Sequence, residues 1–231
     1  MTRTEIYELY VLQSKNVRQL KKVQANLNKD INFYINKNDN FQIELKTKLL
    51  ALLYSTLSEA QFIQFIHTPD GYTSTEISEI KSAKNRNLEE GWRELIDKAM
   101  SKVGDWSNNP DLLNRRNSII DIVKEFIVKP SILRNKIAHG QWQIALNREN
   151  TNKNEELTEK LETLNVVIVS KWFDIHQFMG LIIRDLIQSP SKGFHNNYWT
   201  NLIKLEQYLN DTNDRTFETK RALLMRKPIV K

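Results

Sequence analysis

The spacing of the apolar residues constrains the fold of this chain more than any other feature of its sequence. In segment 88–103 apolar residues recur three and four positions apart: Trp92, Leu95, Ile96, Ala99, Met100 and Val103. Side chains at this spacing share one face of an α-helix, so the segment is predicted to be a helix that buries that face. The same spacing extends along most of the 231 residues. We therefore predict an all-α protein.

Residues that favour turns divide this pattern into separate helices. Pro69, Asp70 and Gly71, for example, follow a strongly apolar segment and predict that a helix ends there. The predicted helices cover residues 4–35, 41–67, 76–84, 88–103, 110–128, 161–188 and 198–210. No repeat and no change of composition marks a domain boundary, so residues 1–231 are predicted to form a single domain.

Two prolines determine the predictions for the middle of the chain. Pro110 follows Asn109, and it is predicted to lie in the first turn of a helix that Asn109 caps. Pro130 is predicted to interrupt that helix, and Ser131 to cap the start of a new one. Residues 147–160 are polar and rich in asparagine. They predict a loop or the exposed beginning of a helix.

Composition and apolar spacing also give predictions for three later segments. Residues 165–169, "NVVIV", have the composition of a strand, but their neighbours have helical spacing, so we predict a helix. Residues 189–197 are predicted to form a loop. The tail, residues 214–231, is basic and is predicted to be loosely held.

The composition excludes several classes of protein. Six glycines and five prolines are too few for a β-sandwich, which needs a turn about every 8–12 residues. The absence of cysteine excludes disulfides, cysteine metal sites and thiol nucleophiles. No HExxH motif, tight Asp/Glu/His cluster or Walker loop is found, so we expect neither a metal nor a cofactor.

The charge and the N-terminal sequence bear on partners and location. The formal net charge is +6, which favours an anionic partner, nucleic acid first, although a basic surface also serves solubility alone. The N-terminal residues lack the apolar core of a secretion signal, and no window holds the roughly 18 consecutive apolar residues of a membrane span. We expect a soluble, cytoplasmic protein with no membrane partner.

One short segment, "ILRNKIAHGQW" at residues 132–142, combines residues that can carry chemistry. Gly140 is predicted to end the helix just after His139. Asn135 lies four residues before His139, so the two share a helix face and Asn135 can hydrogen-bond the imidazole. Arg134 lies five residues before His139, about 140° around an ideal helix. Either the arginine bends round, the helix ends before the histidine, or two copies of the segment meet.

These residue types suit the cleavage of RNA. A histidine can take the proton from a ribose 2′-hydroxyl near neutral pH, and an arginine can bind the phosphate and stabilise the charge that develops on it. No metal is needed, because the 2′-hydroxyl is the nucleophile. The alternative is that Arg134 is a surface residue and His139 only caps the helix.

The segment "LRNKIAHG" resembles the signature of HEPN domains, in which an arginine and a polar residue precede a histidine, often with glycine after it. The resemblance implies a helical bundle with Arg134 and His139 as the catalytic pair and Asn135 as the polar residue beside the arginine. It also implies a homodimer in which two motifs face each other. Many members are metal-independent endoribonucleases of toxin, abortive-infection and other defence systems, and others are inactive scaffolds.

The resemblance assigns an HEPN-like core to roughly residues 88–188. Residues 1–87 and 189–213 would be additional helices, followed by the basic tail. Lys136 and Gln141 flank the motif and are predicted to contact RNA. The leading hypothesis is an endoribonuclease that acts as a toxin or phage-defence effector, with an antitoxin or defence-system protein as a possible partner. The rivals are an inactive HEPN module that binds RNA or a protein, and a purely structural helical protein.

Other polar residues are predicted to have structural roles. His176 lies among apolar residues and is predicted to be in the core or at an interface. Gly180 is predicted to mark a close helix crossing. Arg115 and Arg116 are predicted to lie on a solvated helix face, and His195 in a loop.

Overall fold

The structure, a computed structural model, describes residues 1–226, and every regular element in that range is a helix. The helices are α1 (Arg3–Lys37), α2 (Asn40–Ile66), α3 (Ser74–Arg86), α4 (Leu88–Val103), α5 (Pro110–Val123), α6 (Lys129–Ala138), α7 (Glu155–Glu162), α8 (Val166–Gln188), α9 (Gly193–Asp211) and α10 (Phe217–Met225). Together with a π-helical turn at Lys124–Val128, they hold 79% of the residues that the structure describes. The predicted all-α class is confirmed.

Two long apolar helices, α2 and α8, organise the core. Their N-terminal halves lie in one buried cluster, where the ring of Tyr54 packs against the ring of Phe173. Their C-terminal halves lie in a second cluster, where Phe65 approaches Gly180. The two helices therefore run in the same direction. Helix α1 packs along α2, α4 and α9 pack against α8, and α6 packs against α2.

The apolar composition of α2 and α8 is also compatible with membrane-spanning helices. By length and composition alone, each is apolar enough to cross a membrane. Their most apolar windows are 61% and 44% buried inside the protein, and the core helices of soluble proteins pass the same test. This is weak evidence, and the absence of a membrane partner stays a prediction.

The helix that starts at Pro110 does not end at Pro130. As predicted, Asn109 caps it, accepting hydrogen bonds from the backbone N–H groups of Asp111 and Leu112. A π-helical turn, Lys124–Val128, then joins α5 to α6 without a break. The predicted cap at Ser131 is therefore wrong: the Ser131 hydroxyl instead donates to the carbonyl of Val128 at 2.6 Å.

Tyr54 explains how the chain tolerates Pro130 inside this helix. Proline lacks the N–H that would bond to the carbonyl four residues earlier, here that of Phe126. The hydroxyl of Tyr54, on α2, donates to that carbonyl. The orphaned acceptor is thus satisfied from another helix, and the π-helical turn ends two residues before the proline. Neither fact is visible in the local sequence.

Three segment boundaries near the C-terminus differ from prediction. The helix predicted to begin at 161 begins at Val166, because α7 ends at Glu162 and Asn165 caps α8. Residues 165–169 are the cap and first turn of this helix, as predicted. The predicted loop at 189–197 already contains the start of α9, so His195 is helical. Part of the predicted loose tail is α10, and residues 227–231 lie outside the described range.

Arg115 and Arg116 do not lie on a solvated face, and that prediction is wrong. Arg115 pairs with Asp111 at 2.7 Å and is 8% exposed. Its guanidinium lies over three aromatic rings of α9: Phe194, Tyr198 and Trp199. Arg116 makes a two-pronged pair with Asp97 at 2.7 and 3.0 Å. The causes are contacts from other helices: the aromatic residues of α9, which begins earlier than predicted, pack on Arg115, and α4 supplies the carboxylate that holds Arg116.

The prediction that His176 lies in the core is confirmed. His176 is 1% exposed, packed near the rings of Tyr54 and Trp92. Burial lowers the pKa of its imidazole to about 3. A β-carbon at Gly180 would lie 3.7 Å from the Phe65 ring. This is an ordinary van der Waals distance, so a side chain would fit there, and the predicted close crossing stays a prediction.

Candidate active site

The predicted motif lies at the C-terminal end of α6. Leu133 and Ile137 are buried and anchor this short helix in the core, as expected from their spacing. The helix ends at Ala138, and His139 is its C-cap. Gly140 then adopts a φ of 81°, a left-handed conformation that favours glycine. The predicted stop at Gly140 is confirmed, and it leaves His139 on the surface.

Arg134 points away from this end of the helix and toward α2. Its Nη2 donates to Oε1 of Glu59 at 2.5 Å, and its Nη1 donates to Oδ1 of Asn135 at 3.3 Å. The arginine side chain is 26% exposed. Glu59 itself borders a surface groove between α1 and α2. The guanidinium is thus partly exposed and already has a carboxylate as a counter-ion.

His139 lies in a different, open groove of about 880 Å³ between the end of α6 and the segment that leads to α7. The lining combines two cations with several side-chain amides and some apolar residues: Ile132, Asn135, Lys136, Gly140, Gln141, Leu146, Asn147, Arg148, Asn150, Asn154 and Leu157. This lining contains no carboxylate among the residues that the structure describes. An anionic ligand would find donors here and little repulsion.

The segment that forms the far wall of this groove is ordered by its own side chains. The Asn147 amide oxygen accepts from the backbone N–H groups of Thr151 and Asn152 at 2.9 and 3.3 Å. The hydroxyl of Thr158, on α7, accepts from the N–H of Ala145 at 3.1 Å. An asparagine-rich segment therefore becomes a defined wall, which sequence reasoning treated only as a loop or a helix start.

Lys136 and Gln141, the predicted substrate contacts, also hold this wall in place. Lys136 Nζ donates to the carbonyl of Leu146 at 2.6 Å. The amide of Gln141 accepts from the N–H of Leu146 at 2.8 Å and donates to Asn150 at 3.2 Å. Both residues line the groove, and their contact with RNA stays a prediction. Their polar ends are engaged with the protein in the absence of a ligand.

Four of the five predicted site residues are brought together, and the fifth is not. Asn135, Lys136, His139 and Gln141 share the groove, whereas Arg134 is not part of its lining. Asn135 accepts from Arg134 rather than bonding the imidazole. The sequence left three arrangements open for Arg134 and His139. In the structure the helix ends before His139, and the Arg134 side chain turns toward Glu59. In one chain Arg134 and His139 therefore do not line a common groove.

Sequence reasoning missed Glu59, Arg148 and the amides of Asn147 and Asn150. Glu59 is 75 positions from Arg134, so no local pattern could indicate their contact. Arg148 lies in the asparagine-rich segment, and its basic charge beside the motif was the available signal.

Within residues 1–226, no group of three or more His, Asp or Glu side chains lies close enough to hold a metal ion. The chain matches no protein-family model, no curated protein and no solved structure.

Proposed function

We propose that this protein is a metal-independent endoribonuclease of the HEPN type that cleaves RNA through the ribose 2′-hydroxyl. The observation that carries the proposal is the placement of His139: an exposed histidine at a helix end, in a groove with Lys136 and Arg148 and no carboxylate. A polyanion can enter such a groove, and an exposed imidazole can reach its backbone.

The reaction needs one proton acceptor and one group that stabilises charge. His139 removes the proton from the 2′-hydroxyl, the 2′-oxygen attacks the phosphorus, and the bond to the 5′-oxygen breaks. The products are a 2′,3′-cyclic phosphate and a 5′-hydroxyl, after the leaving oxygen takes up a proton. Histidine suits this role because it exchanges protons near neutral pH.

Arg134 is the residue that binds the phosphate in this proposal. Its guanidinium has five N–H donors. Two bonds are already made, one to Glu59 and one to Asn135. The remaining donors can reach a phosphate, which arginine binds in a two-pronged manner. Asn135 orients the guanidinium, since it accepts a hydrogen bond from it.

A homodimer would unite the two halves of the site. In one chain Arg134 faces α2 and His139 faces the groove, so a composite site would take each residue from a different copy. Apolar side chains beside the motif are available for contact: Ile132 on α6 is 43% exposed and Ile168 on α8 is 36% exposed. Light scattering should then give about twice the chain mass of 27.3 kDa. A strict monomer would contradict the composite site.

The cellular role we propose is that of a toxin or phage-defence effector, for which an antitoxin or a defence-system protein is a possible partner. The support is the resemblance of the motif. Expression of the wild type should slow growth and degrade cellular RNA, and expression of His139→Ala should do neither. Equal effects of the wild type and of His139→Ala would contradict this role.

A second candidate function is an inactive module that binds RNA or a partner protein. The pairing of Arg134 with Glu59 favours it, because a neutralised guanidinium outside the groove is not arranged for catalysis. In that case the groove would bind RNA without cutting it.

Purified protein and a labelled RNA distinguish the two candidates. Wild type should cut the RNA in excess EDTA and should not cut a strand with 2′-deoxyribose 5′ of the scissile bond. His139→Ala should lose the activity, whereas His195→Ala, an exposed histidine outside the groove, should keep it. Equal cleavage by wild type and His139→Ala, or cutting at the deoxy position, would leave the inactive module as the function.

A further inference from the structure

A second cavity, of about 460 Å³, lies between α8, α9 and α10 and shares no lining residue with the His139 groove. Its walls combine cationic, hydroxyl-bearing and apolar side chains: Val167, Ser170, Lys171, Asp174, Tyr208, Thr212, Arg215, Thr216, Thr219, Lys220, Leu223 and Leu224. This volume is in the usual range of small-molecule sites. Nothing in the proposed RNA cleavage uses it.

The cations of this cavity lack counter-ions. Lys171, Arg215 and Lys220 form no ion pair with any residue of the range 1–226, and the bond found for Lys171 is to the carbonyl of Thr212 at 3.4 Å. Lys220 is half-buried, and burial alone lowers the pKa of its ammonium group. Lys171 is also partly buried, whereas Arg215 is exposed. A partly buried charge without a partner costs free energy, so an anion bound beside Lys171 and Lys220 would relieve that cost.

One carboxylate also faces the cavity, and it is only partly used. Asp174 Oδ2 accepts from the Tyr208 hydroxyl at 2.6 Å. Burial and this bond raise the pKa of Tyr208, so its hydroxyl keeps its proton as the donor. The other Asp174 oxygen can accept from a neutral N–H or O–H group of a ligand. A ligand that binds both the cations and Asp174 carries an anion at one end and hydroxyl or amino donors elsewhere.

The apolar part of the lining supplies a third requirement. Val167, Leu223 and Leu224 form an apolar surface beside the cations, which a sugar phosphate would leave uncovered. A planar base would cover it and gain the free energy of burial.

From these features we propose that the cavity between α8, α9 and α10 binds a mononucleotide, with the phosphate held by Lys171, Arg215 and Lys220, a ribose or base donor on Asp174, and the base against Val167 and the two leucines. This ligand site is separate from the RNA groove. It stands whether or not the protein cuts RNA.

Calorimetric titration of the full chain with each of the four 5′-mononucleotides tests the proposal. At least one should bind with a dissociation constant below about 1 mM. Ribose 5-phosphate and inorganic phosphate should bind progressively more weakly, because they leave the apolar surface uncovered. If no mononucleotide binds, or if inorganic phosphate binds as tightly as the best of them, the proposal is wrong.

Variants locate the binding. Lys220→Met should weaken nucleotide binding by about tenfold or more, since it removes a charge-assisted contact. It should not lower the melting temperature, because it removes a half-buried charge that has no partner. Lys204→Met, an exposed lysine of α9 outside the cavity, is the matched control and should bind as wild type does. His139→Ala should also bind normally, and loss of binding in that variant would place the nucleotide in the RNA groove instead.

Discussion

Two parts of the molecule each contain an arginine and a histidine whose surroundings differ sharply. In the core, the Arg115 side chain is 10% exposed and His176 is fully packed. At the end of α6, the Arg134 side chain is 26% exposed and His139 is on the surface. Residue type alone does not distinguish structural residues from the residues of a candidate site. Burial does, because only an exposed side chain can meet a substrate.

The buried residues make contacts that a ligand could not replace. The Nε and Nη1 atoms of Arg115 have no hydrogen-bond partner among the described residues, and the guanidinium lies instead over aromatic rings. Both ring nitrogens of His176 likewise lack a partner in that part of the chain. The cost of burial is met by packing, which makes these side chains part of the fold.

The largest effect is expected at Arg134. Replacing it with alanine should lower RNA cleavage by about a hundredfold or more, because the charge developing on the phosphate loses its stabilising group. Arg134→Lys should fail in large part, since a point charge does not reproduce two-pronged binding. Cleavage rates and denaturant unfolding of the same preparations measure both properties. A loss of stability parallel to the loss of activity would make Arg134 structural, like Arg115.

Arg115 should behave in the opposite way. Arg115→Ala should lower the free energy of unfolding by about 2–4 kcal/mol, because α9 loses the side chain that fills its aromatic surface. Arg115→Met keeps much of that volume and should cost less. Urea denaturation measures both. Arg184→Ala, at an exposed position of α8, is the control and should stay within about 0.5 kcal/mol of wild type.

The pH dependence of stability should report the burial of His176. The pKa of His176 is about 3 in the folded protein and near 6.5 when unfolded, so protons bind the unfolded chain preferentially as pH falls below 6.5. Between pH 7 and pH 5 this should cost about 2 kcal/mol of stability.

His176→Leu should remove that part of the dependence, as urea unfolding at several pH values would measure. His67, whose pKa burial also lowers, acts in the same direction and remains in both proteins. The comparison is therefore the difference in slope between wild type and His176→Leu. An unchanged slope in His176→Leu would refute the burial effect.

The smallest effect is expected at Asn135. Its amide accepts one hydrogen bond from Arg134, so Asn135→Ala should reduce cleavage only severalfold, consistent with about 1 kcal/mol for such a bond. Single-turnover rates would resolve a change of this size. A loss as large as that of Arg134→Ala would mean that Asn135 contacts the substrate directly.

The candidate site was only partly predictable. The helix end at His139 and Gly140 followed from local rules for helix termination, and burial of Leu133 and Ile137 followed from their spacing. The direction of Arg134 depends on Glu59, a residue distant in sequence, and the shape of the groove depends on how residues 141–154 fold back. Such contacts are set by packing between elements, which helical periodicity does not encode.

The sequence by itself determined the all-α class, the bounds of α4, the cap of α5 and the core position of His176, because these follow from apolar spacing, capping chemistry and the cost of exposing apolar faces. The tertiary structure alone decided that the helix continues through Pro130, that α9 begins before its predicted start, and that Arg115 is buried. Each depends on a partner from another helix: Tyr54 for the carbonyl of Phe126, and the α9 aromatic residues for Arg115. Local patterns are weak there because the stabilising contact forms only when distant segments pack together.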